Sequence, residues 1–383
     1  MNKISDVDFD KIFSNSSRYT FIDVRAPIEF IQGHIPQAYN APILNDFERE
    51  LIGTTYKKEG SQKAIELGYQ LISGETKNKR IQAWIEILKK STNPILYCFR
   101  GGLRSQITQK WLKENQFDVP LIQGGYKKVR QYFLAKNKEL VEKNKFILIS
   151  GPTGSGKSQL IEEISQADFL NQKSVLHLEK LANHRGSAFG AYAAGASPQP
   201  QQAHFENLIS LSLIQASSHN FNQQIYTEDE SRLIGQRIIP SHLFEKMRES
   251  PVVWIEEELE HRVQRIYQDY IINTAIGFSL TQKNQELEHQ AQLIFNYYQK
   301  SLQKILRKLG GLRFNEISTD LSLAQQAFMN HRDLSLNTIW IEKLLSYYYD
   351  PLYLKSLERR QVKIIFRGTY QNCKKLAHNS GDG

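Results

Sequence analysis

The octet Gly151-Pro152-Thr153-Gly154-Ser155-Gly156-Lys157-Ser158 leaves the surrounding chain little freedom of local fold. It fits the spacing Gly-x-x-x-x-Gly-Lys-Ser. The strand-like run Phe146-Ile147-Leu148-Ile149-Ser150 leads into it, and Leu160, Ile161 and Ile164 follow at helical spacing. Strand, glycine loop and helix together form an anion cradle, because backbone amides and the helix N-terminus face phosphate oxygens. Gly151, Thr153, Gly154, Ser155, Gly156, Lys157 and Ser158 are therefore candidate phosphate- or diphosphate-binding residues, with Lys157 as counter-charge and Ser158 as a magnesium contact. The next strand-like run, Gln224-Ile225-Tyr226-Thr227, ends in three acids, which makes Glu228 or Asp229 the candidate acidic partner without choosing between them. Guanine-specificity elements are missing, so a GTPase is not supported. His184, Arg185, Gly186 and Ser187, in Asn183-His184-Arg185-Gly186-Ser187-Ala188-Phe189-Gly190, form a candidate substrate loop, with an ordinary surface loop as the equal alternative.

A second anion-holding segment lies about fifty residues earlier: Cys98-Phe99-Arg100-Gly101-Gly102-Leu103-Arg104-Ser105. A thiol reacts as thiolate, so its surroundings must favour the anion. Gly101 and Gly102 allow a concave nest of amides, and Leu103, Ile107, Trp111 and Leu112 predict a helix whose positive end faces the loop. Arg100 and Arg104 are expected to add fixed charge. Cys98, Arg100 and Arg104 are thus the candidate catalytic residues for a sulfur that carries a labile chalcogen.

At 383 residues the chain has room for two or three domains, and 40% hydrophobic with 23% charged residues suits a soluble globular protein. Neither a signal-peptide core nor a membrane-length apolar run occurs, so a cytoplasmic protein without a membrane partner is expected. Two cysteines, Cys98 and Cys373, exclude a disulfide framework and a zinc-ligand pattern, and no metal site is assigned with certainty. Cys373 is read as part of a basic tail without a nest. The net charge of +9 points to a polyanionic partner. Lys127, Lys128 and Arg130 in one cluster, and Arg359, Arg360, Lys363 and Arg367 in another rich in tyrosine, are RNA-binding candidates, the alternative being a solvated surface.

The fold class expected is α/β. Residues 8–135 form a first α/β domain, with a helical insertion over about 45–90, and 136–145 a linker or linker helix. Residues 146–260 form the phosphate-loop α/β domain, and 261–383 a mainly helical basic region. Residues 191–203, rich in Ala, Gly, Pro and Gln, are expected to be a mobile loop.

Cys98-x-Arg100-x-Gly102-x-Arg104 resembles the active-site loop of the rhodanese family. Asp23-Val24-Arg25, Glu29-Phe30, Gly33-His34-Ile35-Pro36, Ala38 and Asn40 resemble its N-terminal signature, and Gln123-Gly124-Gly125 its closing turn. His34 is read as a hydrogen-bonded loop residue, not a catalytic one. A rhodanese-like domain followed by a P-loop NTPase-like domain resembles the bacterial tRNA 2-selenouridine synthase family over essentially the whole chain. Gly53-Thr54-Thr55-Tyr56-Lys57, Phe205-Glu206-Asn207-Leu208, Glu228-Asp229-Glu230-Ser231-Arg232 and Tyr348-Tyr349-Asp350-Pro351-Leu352-Tyr353 extend the likeness. His177-Leu178-Glu179-Lys180 departs from it, since Asp-Leu-Glu-Gly is expected there.

The resemblance implies replacement of sulfur by selenium in wobble 2-thiouridine of tRNA, through an S-geranyl intermediate. Selenophosphate and geranyl diphosphate would be co-substrates, with no tightly bound cofactor, magnesium as a candidate ion and Cys98 as the selenium carrier. tRNA is the implied partner of a monomeric enzyme, and an enzyme supplying selenophosphate is a candidate partner. The alternative is an ATP-hydrolysing P-loop protein whose rhodanese-like domain delivers or senses sulfur.

Overall fold

The computed structural model describes residues 3–5, 8–171, 174–190, 198–217, 224–274, 286–360 and 362–379. It divides into two compact units, Met1–Glu142 with Pro200–His219, and Lys143–Gln199 with Asn220–Gly383.

The first unit is built on five short parallel strands, β1 (Lys3–Ile4), β2 (Thr20–Asp23), β3 (Tyr39–Asn40), β4 (Pro94–Tyr97) and β5 (Leu121–Ile122), in the order β1-β5-β4-β2-β3. Ile95, Leu96 and Tyr97 of β4 are all buried, as expected of a parallel strand covered on both faces. The helices are α1 (Phe9–Ser14), α2 (Pro27–Gln32), α3 (Asp46–Glu59), α4 (Ser61–Leu71), α5 (Gly74–Leu88), α6 (Leu103–Glu114) and α7 (Gly125–Lys143). Helices α3 to α5 occupy the interval expected to be a helical insertion. Asn45 starts α3 with a capping box: its side chain accepts the Glu48 N–H at 2.8 Å, and the Glu48 carboxylate accepts the Asn45 N–H at 2.7 Å. Such a cap is worth about 1 kcal/mol.

The linker 136–145 is helical, the second half of α7 running to the start of the next strand. Lys138, Lys143 and Lys145 are exposed while Leu140 and Val141 are buried, so the polar composition reflects a helix surface. The helix Gln202–Ala216, expected within the phosphate-loop domain, belongs to the first unit. Its Asn207 donates to Tyr126 Oη at 2.9 Å, its Ser210 accepts from Asn137 at 3.1 Å, and its Gln215 donates to Ser16 Oγ at 2.9 Å. Phe205, Ile209 and Leu213 are fully buried beside these bonds.

The second unit carries β6 (Lys145–Ser150), β7 (Ser174–Leu176), β8 (Gln224–Glu228), the antiparallel pair β9 (Leu233–Ile234) and β10 (Arg237–Ile238), β11 (Val252–Glu256) and β12 (Ile364–Thr369). Its sheet is parallel, ordered β12-β11-β6-β8-β7. Helix α8 (Lys157–Asn171) follows the phosphate loop. The C-terminal region is mainly helical as expected, with Phe295, Tyr298, Leu321, Phe328 and Trp340 in one core. It nevertheless returns to the sheet through edge strand β12. Cys373, read as part of a basic tail without a nest, is fully buried in the helix after β12. Its thiol donates toward the carbonyls of Trp254 and Gly368, each at 3.4 Å, and burial pushes its pKa up to about 11. Of the expected loop 191–203, residues 191–197 lie outside those described. Gln199 bonds the carbonyls of Ala182 and Ile234, and Gln202 already begins a helix.

Candidate active site

Cys98 follows β4 at the carboxyl edge of the first sheet. Connections there run to one side after β2 and to the other after β4, the switch point at which open α/β sheets bind ligands. The sulfur is 3.2 Å from Ser105 Oγ and 3.9 Å from the Gly102 carbonyl, and Ser105 donates to that carbonyl at 3.1 Å. The closing turn grips the loop from below: the Cys98 carbonyl accepts the Tyr126 N–H at 2.8 Å and the Phe99 carbonyl the Lys127 N–H at 2.9 Å. Gly125 makes this approach feasible. Its φ is +59°, and a β-carbon there would stand 2.3 Å from the Cys98 carbonyl oxygen and 2.5 Å from the Gly101 nitrogen.

The two arginines behave differently. Arg100 is exposed. Arg104, expected to bring charge to the sulfur, instead bonds Glu29 through two nitrogens, at 2.5 and 3.1 Å. Arg49 joins the same carboxylate at 3.1 Å. Burial raises the pKa of Glu29, but the Arg104 bonds outweigh it and hold the group below the usual carboxylate range. The guanidinium of Arg104 is thus neutralised locally, and Ser105 is the side chain that reaches Cys98. Glu29 and Ser105 both stand in recognisable sequence motifs, but nothing local to them assigns either a role.

A buried ion pair supports the loop. Arg25 bonds Asp23 at 2.6 Å and the Gly33 carbonyl at 2.8 Å, and lies 4.2 Å over the Tyr126 ring. His34 bonds the Phe30 carbonyl at 2.9 Å and stacks on His204 at 3.7 Å, a structural placement that agrees with the loop role expected of it.

In the second unit the phosphate loop leaves β6 and enters α8. Lys157 Nζ lies over the loop, donating to the carbonyls of Gly151 at 2.8 Å and Pro152 at 3.2 Å. Gly154 at φ +83° and Gly156 at φ +93° need glycine, since β-carbons there would meet the Arg262 carbonyl at 2.9 Å and the Tyr370 ring at 2.8 Å. Two arginines buttress the loop from behind, Arg262 donating to Thr153 O at 2.9 Å and Arg265 to Gly154 O at 2.6 Å. Tyr353 Oη accepts the Gly151 N–H at 2.8 Å and lies 2.6 Å from Ser150 Oγ. Arg262 and Arg265 carried no signal in the sequence, and Tyr353 only its place in a family segment.

Neither candidate acid touches Ser158. Glu228 is fully buried, accepts the Leu178 N–H at 2.8 Å and pairs with His177 Nδ1. Asp229 is held by Arg360 at 2.8 and 3.1 Å and by Ser150 Oγ at 2.6 Å. The carboxylate at Ser158 is Glu179, whose Oε2 accepts the serine hydroxyl at 2.5 Å. Burial and the nearby Glu228 push the pKa of Glu179 up, burial does the same to Glu230, and burial lowers Lys157. Ser158 and Glu179 are hard oxygen donors side by side, the chemistry that suits magnesium. Among the described residues no group of three or more His, Cys, Asp or Glu converges as a metal cluster. His177 stands where the resemblance led an acid to be expected, and its bond to Glu228 keeps that carboxylate partnered.

A cavity of about 720 Å³ opens over the loop, lined by Lys157, Ser158, Glu179, Arg185, Ser187 and Tyr270 among others. The candidate loop at 184–187 therefore meets the phosphate loop. Arg185 lies 4.8 Å over the Tyr270 ring and donates to the Asp269 carbonyl at 2.7 Å, while Ser187 Oγ is 3.1 Å from Tyr270 Oη. His184 is buried behind them.

The RNA-binding candidates separate by partner. Arg130 pairs with Glu206 and Asn207, and Arg360 with Asp229, so both serve internal bonds. Lys127, Lys128 and Lys363 are exposed, and Arg367 is exposed beside Glu256. The Arg359 side chain lies outside the described residues. No described helix is long and apolar enough to cross a membrane.

Comparison with known proteins covers both units. Residues 8–132 match the rhodanese-like domain, and residues 144–382 match the tRNA 2-selenouridine synthase AAA domain. A tRNA 2-selenouridine synthase of Nitrosomonas europaea is 46% identical over 91% of this chain and 92% of its own. Those of Bdellovibrio bacteriovorus and Pseudomonas syringae pv. tomato are 44% and 38% identical, each over 94% of both chains. With identity of this level over about nine-tenths of the chain, the chain belongs to the tRNA 2-selenouridine synthase family.

Proposed function

We propose that this chain acts in the cytoplasm on the wobble 2-thiouridine of tRNA, alkylating its sulfur with a geranyl group and then replacing that sulfur by selenium from selenophosphate. The observation that supports this most directly is a nucleophile-bearing loop and a phosphate loop on one chain. Cys98 follows β4 with Ser105 Oγ 3.2 Å from its sulfur, and Lys157, Ser158 and Glu179 together line a cavity. Geranylation turns a poor leaving atom into a thiolate that departs with its prenyl chain. In the phosphate-loop cavity, Lys157 and the loop amides would bind the diphosphate of the prenyl donor and stabilise it as it leaves. Ser158 and Glu179 would hold a magnesium ion accompanying that diphosphate, whose chemistry is charge neutralisation. Arg185, beside Ser187 over the same cavity, supplies further positive charge. Cys98, with Ser105 Oγ at 3.2 Å, would position selenophosphate at the cysteine loop, where its selenium adds to C2 of the nucleoside as geranylthiolate leaves and water then takes the phosphoryl group.

The test is reconstitution with purified full-length chain, 2-thiouridine tRNA, geranyl diphosphate and selenophosphate, read by mass spectrometry of nucleosides. S-geranyl-2-thiouridine is expected with the prenyl donor alone, and 2-selenouridine once selenophosphate is added. tRNA-stimulated ATP hydrolysis with no geranylated nucleoside would replace this reading by that of an ATP-driven sulfur carrier.

A further inference from the structure

The first unit holds a second cavity, of about 630 Å³, whose walls are mainly apolar. It lies between the α3–α4 hairpin and helix α6, with Ile52, Ile65, Leu103, Ile107 and Trp111 among its walls. In α6 the residues Leu103, Ile107 and Trp111 form one stripe at helical spacing, which ordinarily marks the face turned to a core. Here only Trp111 is buried, and Leu103 is 52% exposed. Across the cleft Tyr56 and Tyr69 are 60% and 49% exposed. Apolar surface left open by three helices at once, and concave, has the form and volume of a small-molecule site, for which about 300–1,000 Å³ is usual.

The chemistry of the cleft selects its occupant. Its floor offers apolar and aromatic side chains, so a sugar or a bare base would lose its hydrogen bonds there. Its lining includes Arg49, Lys57 and Arg104 against one acid, Glu29, which pairs with both arginines, so the charge left over is positive. That arrangement suits an apolar chain attached to an anionic body. Leu103 and Arg104, in the first turn of the helix that follows the Cys98 loop, line the cleft.

We propose that this cleft seats the prenyl chain of the S-geranylated nucleoside while its base is presented to Cys98. The assignment rests on the geranylation reading above and adds a subsite to it: the chain is held in the rhodanese-like unit during exchange, separately from the phosphate-loop cavity that would bind its diphosphate donor. Holding the departing group in an apolar cleft orients the carbon–sulfur bond that must break and confers preference for the alkylated over the unalkylated base.

Gly53 provides the test. It lines the cleft within α3, and a β-carbon there would meet no atom within 4 Å, so a large side chain can enter without moving backbone. Equilibrium binding to the full-length chain is measured with two anticodon stem-loop RNAs, one bearing S-geranyl-2-thiouridine and one bearing 2-thiouridine. The wild type is expected to favour the geranylated RNA by about tenfold or more. Gly53→Phe should erase that preference without changing the affinity for the 2-thiouridine RNA, and Gly53→Ala should keep it. Thermal melting of each variant establishes that the fold is retained. A wild-type chain without preference, or a preference that survives in Gly53→Phe, overturns the assignment. If geranylated tRNA is nevertheless formed from geranyl diphosphate, only the cleft assignment falls. If none is formed, the geranylation reading falls on its own evidence.

Discussion

Ser158 Oγ donates to Glu179 Oε2 at 2.5 Å, which ties the first turn of the helix after the phosphate loop to the short helix Leu178–Leu181. The acids at the end of β8 are both partnered elsewhere, so Glu179 is the carboxylate positioned to act with Ser158. Replacing Glu179 with Gln keeps the hydrogen bond and removes the charge. Geranylation is expected to fall about ten- to hundredfold and to require more magnesium for half-maximal rate, because one charge-assisted contact is worth about 1.5–3 kcal/mol. An unchanged magnesium dependence in Glu179→Gln would remove the ion from this pair.

The two loops should be separable. Lys157→Ala is expected to impair geranylation by a similar factor while pre-geranylated tRNA is still converted to 2-selenouridine. Cys98→Ala should show the reverse and accumulate geranylated tRNA. Nucleoside mass spectrometry of both variants decides this, and coincident loss of both products in each variant would contradict a division of labour.

Glycines around Cys98 should differ sharply in tolerance. Gly125→Ala forces a side chain onto a φ of +59° and against the Cys98 carbonyl. It should cost at least about 1–2 kcal/mol and disturb the cysteine loop. Gly102→Ala, with nothing within 4 Å and φ −93°, should change stability by under about 0.5 kcal/mol. Chemical denaturation of the two variants measures the contrast.

The stacked pair His34 and His204 should make the first unit acid-sensitive. Burial lowers each from its ordinary 6.5 to about 4, with Arg25 adding to the effect at His34 and His34 adding at His204. Both are therefore neutral in the fold and readily protonated when unfolded. Their contribution is present above pH 6.5 and lost as the pH falls toward 4. Melting temperature followed over this range should drop less steeply in a His34→Asn, His204→Asn double variant than in the wild type.

Binding of tRNA should weaken with salt, because each neutralised phosphate releases counterions. Lys127→Glu and Lys363→Glu are expected to lower affinity and flatten the salt slope. Arg360→Ala, whose side chain holds Asp229, should act chiefly through stability. Affinity measured across a salt series distinguishes the two classes.

Local spacing alone determined a good deal of this protein. The octet 151–158 announced a strand, a loop and a helix, and they form as β6, the phosphate loop and α8, because glycine conformations and apolar periodicity are properties of adjacent residues. The cysteine loop, its following helix and the helical insertion were legible for the same reason. What only the tertiary structure decided was which charges meet. Arg104 faces Glu29 from 75 positions away and Asp229 faces Arg360 across 131, so their charge was spoken for in ways no short window reveals. Glu179 was hidden among acids whose roles depend on packing, and Cys373 sits in the core only because β12 returns to the sheet. The cleft beside α6 belongs to the same class. Leu103, Ile107 and Trp111 have the periodicity of a buried face, and only the placement of α3 and α4 leaves that face open, since burial is settled by what packs against a helix and not by the helix's own pattern.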